Sequence, residues 1–169
     1  MIRRRQWVTA MARILAFETG APTDDDAASL FELVTERFRN EAFSLLSECR
    51  AYLEEADLPR IGDATDDQLL ASREAHRVAV RLKDLMTRTL SLHAWSCGKI
   101  STNEAFGQHQ RLQFRDYCLE SAEPSAPGLP ERMLHLCEDS LALYERTCNL
   151  EDTLLDLHGL SKKDQTEAA

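Results

Sequence analysis

The sequence predicts an all-α fold: an antiparallel bundle of three long helices plus one shorter helix. Three observations carry this. Apolar residues recur at three- and four-residue intervals over runs of about thirty residues, the repeat of one helix face. The 169-residue chain holds only 6 Gly and 5 Pro, too few for the many turns of an all-β fold. The breaks that do occur are sharp: LPRIGD at 58–63, CGKIS at 97–101 and PSAPG at 124–128.

The first helix opens after Asp24-Asp25-Asp26, which offer N-cap oxygens and negative charge at the positive end of the helix dipole. Phe31, Phe38, Leu45 and Tyr52 then recur every seven residues, with Ala42 and Cys49 at the complementary positions, to about Ala56. About 30 residues at 1.5 Å per residue make a rod of roughly 45 Å. Residues 1–23 precede it as a basic arm carrying Arg3, Arg4, Arg5 and Arg13. Arg13 breaks the run QWVTAMARILAF, which is too short for a secretory core or a membrane span.

The second helix runs from Thr65-Asp66 to Cys97 without Pro or Gly. Ala75, Val78, Leu82, Leu85, Thr89 and Leu92 form its buried stripe, widened by Leu69 and Met86. Gly98 follows where helices commonly end in a left-handed residue. Ser101-Thr102-Asn103-Glu104 matches the S-x-x-E capping box, with Ile100 placed to staple against Ala105. The WSCGKISTNEAF stretch is therefore a connector between helices rather than a reactive cluster.

The third, shorter helix spans about 102–121. Phe106, Leu112 and Phe114 are apolar, but His109, Gln110, Arg111 and Gln113 dilute the pattern, so this helix is only partly buried. The last helix starts at Leu129-Pro130, with Pro in a favoured first-turn position. One of its stripes is Leu134, Leu141, Cys148 and Leu155, joined by Cys137 and Tyr144; a second is Leu136, Leu143, Leu150 and Leu157. Two stripes fit a helix wedged between two others, or a helix whose second stripe is the seam of a homodimer. Residues 158–169 have no apolar periodicity and read as a flexible tail, leaving 24–157 as the bundle domain.

A formal net charge of −9 argues against a general nucleic-acid binder, which needs a cationic face. The five cysteines form no CxxC pair, and all but Cys118 fall on or beside apolar helical positions; reduced thiols in cytosol fit best. No paired Glu-x-x-His supports a di-iron centre, no CxxCH supports covalent haem, and no glycine-rich loop supports phosphate binding. His93 and Cys97, four residues apart, could face one metal, but no second ligand pair is evident and an ordinary helix-end pair is preferred. Spacing leaves a Cys–His nucleophile open without supporting it. The residues thus predict no enzyme and no catalytic, cofactor or metal site. They describe an acidic cytosolic bundle that binds other proteins. A homodimeric scaffold and a metal- or cofactor-binding bundle are the alternatives.

Several segments are familiar together. LPERMLHLCEDSLALYERTCNL (129–150) brings the LP start, Ser140 and the Leu143-Tyr144-Glu145-Arg146 run; RVAVRLKDL (77–85) brings Arg77, Arg81, Leu82 and Leu85. GKIS (98–101), Ala105 and Arg111-Leu112 fall in register, and FRNEAFSLLSECRAYLE (38–54) matches more loosely. On these residues the chain resembles the alphaproteobacterial regulator of CtrA degradation (RcdA) family of proteolytic adaptors, over roughly residues 30–150. The N-terminal segment and residues 113–128 depart from that pattern.

The resemblance implies a dimeric, non-catalytic bundle in the ClpXP degradation pathway, concentrated at a cell pole. It implies recruitment through a CheY-like single-domain response regulator that primes ClpX. Cargo is carried directly, or through a cyclic-di-GMP-binding partner for the cell-cycle regulator CtrA. Candidate contact residues lie within the matching segments. Arg77 and Arg81, one turn apart, offer a basic strip to a partner, or else pair between helices with Glu145 or Glu48; Arg111 has the same two readings. Tyr144 lies on a core stripe with its hydroxyl reaching an edge, and Arg146 points outward. The terminal Ala168-Ala169 resembles the signal that ClpX engages on substrates.

Overall fold

A computed structural model describes residues 24–55, 65–120 and 129–160, with the side chains of 24–30 and of Leu157 outside the description. The predicted basic arm (1–23) and most of the predicted tail, including Ala168 and Ala169, lie outside the described residues. Every regular element among the described residues is helical. Helix α1 spans Asp24–Glu55, α2 Asp66–Ser96, α3 Thr102–Ala105, α4 Arg115–Leu119 and α5 Glu131–Leu157, with a 3-10 turn at Gln108–Gln110.

The helix ends follow local chemistry. Thr65 caps α2: its Oγ accepts from the Gln68 amide at 3.3 Å, while Gln68 Oε1 accepts from the Thr65 amide at 2.9 Å. Gly98, at φ 68°, ends the same helix: its amide donates to the Trp95 carbonyl at 2.9 Å and the Lys99 amide reaches the Ala94 carbonyl at 2.8 Å. Those two bonds are the pattern of a left-handed helix stop. Gly159, at φ 66°, closes α5 in the same way, with Leu160 N–H reaching the Leu155 carbonyl at 2.8 Å.

The three long helices pack against one another, but they are not all antiparallel as predicted. The start of α1 meets the end of α2, where the rings of Phe31 and Trp95 lie 5.7 Å apart edge to face. Arg146 pairs with Glu41, and Arg132 with Glu48 and Glu55, so α5 runs antiparallel to α1. Arg81 meets Ser140, Asp84 meets Tyr144 and Arg88 meets Glu151, so α5 runs parallel to α2. A parallel pair requires the chain to travel back along the bundle between them. The segment 101–120 does so: Ala105 lies beside Arg88, Gln113 beside Asp84 and Cys118 beside Arg81.

The core is the junction of the predicted stripes. Phe31, Phe38, Ala42, Leu45 and Cys49 of α1 are buried, as are Ala75, Val78, Leu82, Leu85, Thr89 and Leu92 of α2. Each large apolar side chain removed from water there contributes about 1.5–3 kcal/mol before the cost of ordering it. Leu69, predicted to widen the stripe, is instead exposed.

The predicted dimer seam is corrected by burial. Leu136 is 1% exposed and Leu143 and Leu150 are 0%, all within a single chain, so they are core and unavailable to a second copy. The Leu157 side chain lies outside the described residues. Leu134 and Leu141 of the other stripe are only half-buried. Cys118, set apart from the apolar positions by sequence, is wholly buried, whereas Cys97 is exposed.

The predicted third helix, about 102–121, is also corrected. It is three short pieces, and much of its backbone is bonded by side chains from α2 and α5. Gly107 marks the first break; a Cβ there would meet the Asn103 carbonyl at 3.2 Å.

Candidate functional site

The most unusual feature of the bundle is a buried file of ionisable and hydroxyl side chains. On α2, Glu74, Arg77, Arg81, Asp84 and Arg88 recur at three- and four-residue spacing and so share one face; all are buried. On α5, Ser140, Tyr144, Thr147 and Glu151 do the same. The two polar faces meet along the segment 101–120 and supply hydrogen bonds to backbone groups that no helical ladder satisfies.

Arg81, 0% exposed, donates through Nε to the Cys118 carbonyl at 2.6 Å and through Nη1 to the Cys137 carbonyl at 3.3 Å and Ser140 Oγ at 3.4 Å. Its Nη2 donates to the Glu120 carbonyl. Arg88 donates to the carbonyls of Ala105 at 2.7 Å and Gln110 at 3.2 Å. Its Nε stands 2.6 Å from Glu151 Oε1. Asp84 accepts from the backbone amides of Gln113 at 3.2 Å and Phe114 at 3.4 Å and from the Tyr144 hydroxyl at 2.7 Å, while Glu151 accepts from the Leu112 amide at 3.3 Å. At the far end Arg77 bonds both oxygens of Glu74, reaches Glu120 Oε2 at 3.0 Å, and lies over the Tyr117 ring.

The electrostatics follow from removing charges from water. Burial pushes the Arg81 and Arg88 guanidiniums below their ordinary values, with Glu151 opposing the shift at Arg88. Burial pushes the Glu151 carboxyl up against the pull of Arg88. The Tyr144 hydroxyl is raised far above its usual range by burial and by its bond to Asp84. Burial also raises the thiols of Cys118 and Cys137, each to about 11, which keeps them protonated.

Outward of this file, the segment 101–120 and α5 border a shallow cleft of about 430 Å³ lined by Arg111, Phe114, Arg115, Tyr117 and Leu155. Phe114 is 52% exposed and Leu119 42%. Arg115 is fixed at the rim by Asp152 at 2.8 Å and the Cys148 carbonyl at 3.0 Å. Aromatic and arginine side chains held on a braced surface are the residue types that anchor protein interfaces.

A family model described as "Protein of unknown function (DUF1465)" matches residues 27–168, most of the chain. The chain belongs to the DUF1465 family. No curated protein and no solved structure gives a significant match.

Within this DUF1465 chain the residues predicted as contacts have separated fates. Arg77 and Arg81 are buried and form no surface strip; their partners are Glu74, Glu120, Ser140 and backbone carbonyls, not Glu145 or Glu48. Arg111 is half-buried, donating to the carbonyls of Phe106 at 3.0 Å and Leu160 at 3.4 Å. Tyr144 is wholly buried, and its hydroxyl meets Asp84 rather than an edge. Arg146 is exposed, over the Phe38 ring and paired with Glu41. Glu74, Asp84, Arg88 and Glu151 are not among the predicted contacts, although their three- and four-residue spacing places them on the same helix faces as Arg81 and Tyr144.

Proposed function

We propose that this chain is a non-enzymatic adaptor of regulated proteolysis. In this reading it brings cell-cycle regulators of the CtrA type to ClpXP, together with a CheY-like priming protein. One observation carries the reading. Residues of two separate segments that resemble the RcdA family meet directly, Arg81 bonding Ser140 and Asp84 bonding Tyr144, and Leu112 of a third is held by Glu151 just beyond the matching stretch. The familiar residues therefore brace one segment against two rods, and that segment turns Phe114 and Leu119 outward.

An adaptor acts by proximity. Holding cargo beside a protease converts a bimolecular encounter into an intramolecular one, which raises apparent affinity by roughly 10²–10⁴ without bond-breaking residues. The buried charges here are engaged with each other and with backbone, an arrangement suited to a rigid platform rather than to proton transfer. In this reading the adaptor works in the cytoplasm, concentrated at a cell pole, as a homodimer. Its seam lies away from Leu136, Leu143 and Leu150; among the described residues, Leu33 and Phe43 of α1 and Leu69 and Leu90 of α2 are large apolar side chains exposed and available to it.

The test is reconstitution of ClpXP, the receiver protein and a CtrA-type cargo with and without this chain. Addition of the chain should speed cargo loss severalfold. Phe114→Asp with Leu119→Asp should remove that effect while the circular dichroism spectrum stays helical. No acceleration, with no binding to the receiver protein, would leave a scaffold unrelated to proteolysis.

A further inference from the structure

At the end of the bundle opposite Arg77, α1 and α2 bring together three side chains of metal-binding type. Glu32 comes from α1, and His93 and Cys97 from the last turn of α2 and its cap. One potential ligand atom from each lies within 4.8 Å of the other two. The sequence presents His93 and Cys97 without a further ligand; the helix packing supplies it from a residue distant in the chain.

The distances can be compared with what a metal requires. A zinc ion bonds sulfur at about 2.3 Å and imidazole nitrogen at about 2.0–2.1 Å, so at a tetrahedral angle the two ligand atoms stand about 3.6 Å apart. Cys97 Sγ and His93 Nε2 are 3.7 Å apart. His93 Nδ1 is buried and has no hydrogen-bond partner among the described residues, which leaves Nε2, on the Cys97 side, as the nitrogen open to a ligand. The turn that carries both residues is fixed: the Cys97 amide donates to the His93 carbonyl at 3.1 Å, and Gly98 closes the helix directly after it.

An ordinary thiol–imidazole contact would explain His93 and Cys97 but gives no role to Glu32. Among the described residues no cation pairs with the Glu32 carboxylate, and it stands beside a thiol that becomes anionic on binding metal. A thiolate, an imidazole and a carboxylate form a mixed set that suits zinc and is foreign to calcium or magnesium, which take oxygen ligands. We propose that Glu32, His93 and Cys97 form a zinc site that clips the first turns of α1 to the end of α2, with a fourth position open to water. This inference does not rest on the adaptor reading.

Cys97 allows a test that is independent of activity, because the other four cysteines are buried. The reduced full-length chain is titrated with zinc chloride against a chromophoric chelator. In parallel, iodoacetamide labelling of each cysteine is followed by peptide mass spectrometry with and without zinc. The chain should bind one zinc, and zinc should slow labelling of Cys97 at least tenfold. In Glu32→Gln and in His93→Asn, both of which keep the thiol, affinity should fall at least tenfold and the protection of Cys97 should be lost. Glu32 is exposed, so Glu32→Gln reports even where His93→Asn perturbs folding. Equal labelling of Cys97 with and without zinc, or equal zinc affinity in wild type and Glu32→Gln, would overturn the site.

Discussion

Replacing Arg81 by Met keeps the aliphatic stem and removes the guanidinium, which isolates the contribution of the buried cation. Two carbonyls of the 101–120 segment, those of Cys118 and Glu120, then lose their donor. A buried acceptor left unpaired costs about 1–3 kcal/mol. Cys118 is fully buried and pays this in full, whereas Glu120 is exposed and its carbonyl is readily rehydrated. Discarding a cation that burial already disfavours recovers part of the loss. The net expectation is a destabilisation of about 1–2 kcal/mol, measured by urea unfolding with linear extrapolation. Amide exchange should show residues 114–120 losing protection beyond the global change. Arg146→Met serves as the control: its ion pair with Glu41 is at the surface, and the change should stay within about 1 kcal/mol. An Arg81→Met variant as stable as the control, with residues 114–120 still protected, would refute the idea that side chains from the long helices hold this segment.

Gly98→Ala should cost about 1–2 kcal/mol in the same assay; a Cβ there meets nothing within 4 Å, so the whole effect is the left-handed backbone at φ 68°. His158 packs against the rings of Trp95 and Phe106, and burial lowers its folded pKa. The unfolded chain therefore takes up the proton first, and this group's contribution declines as pH falls through about 6.5. Thermal melts of wild type should accordingly fall more between neutral and mildly acidic pH than those of His158→Gln; parallel curves would remove His158 from the account.

The parts legible in the sequence were those written locally. The Ser101–Glu104 box forms, with the Ser101 amide bonding Glu104 Oε2 at 2.7 Å, and Gly98 adopts the conformation its position demanded. The apolar stripes of α1 and α2 are buried because three- and four-residue spacing defines a helix face regardless of what packs on it. The break-up of 102–121 was hidden because the groups that replace its helical bonds, Asp84, Arg88 and Glu151, lie tens of residues away. Charged residues at helical spacing ordinarily mark a solvated face. Here Arg77 and Arg81 instead face inward, and their spacing alone fits a basic strip for a partner as well as a pairing between helices. Whether the second leucine stripe is core or seam was equally undecidable from periodicity, since both uses need the same spacing.

The reliance of the 101–120 segment on borrowed donors and acceptors bears on how the molecule opens. A helix loses its bonds from the ends inward, turn by turn. This stretch is instead secured at discrete rivets: Arg81, Asp84 and Arg88 each hold two atoms of it, and Glu151 holds the Leu112 amide. Such a piece detaches in a few large steps while the rods stay intact, forming a sub-global unit less stable than the whole.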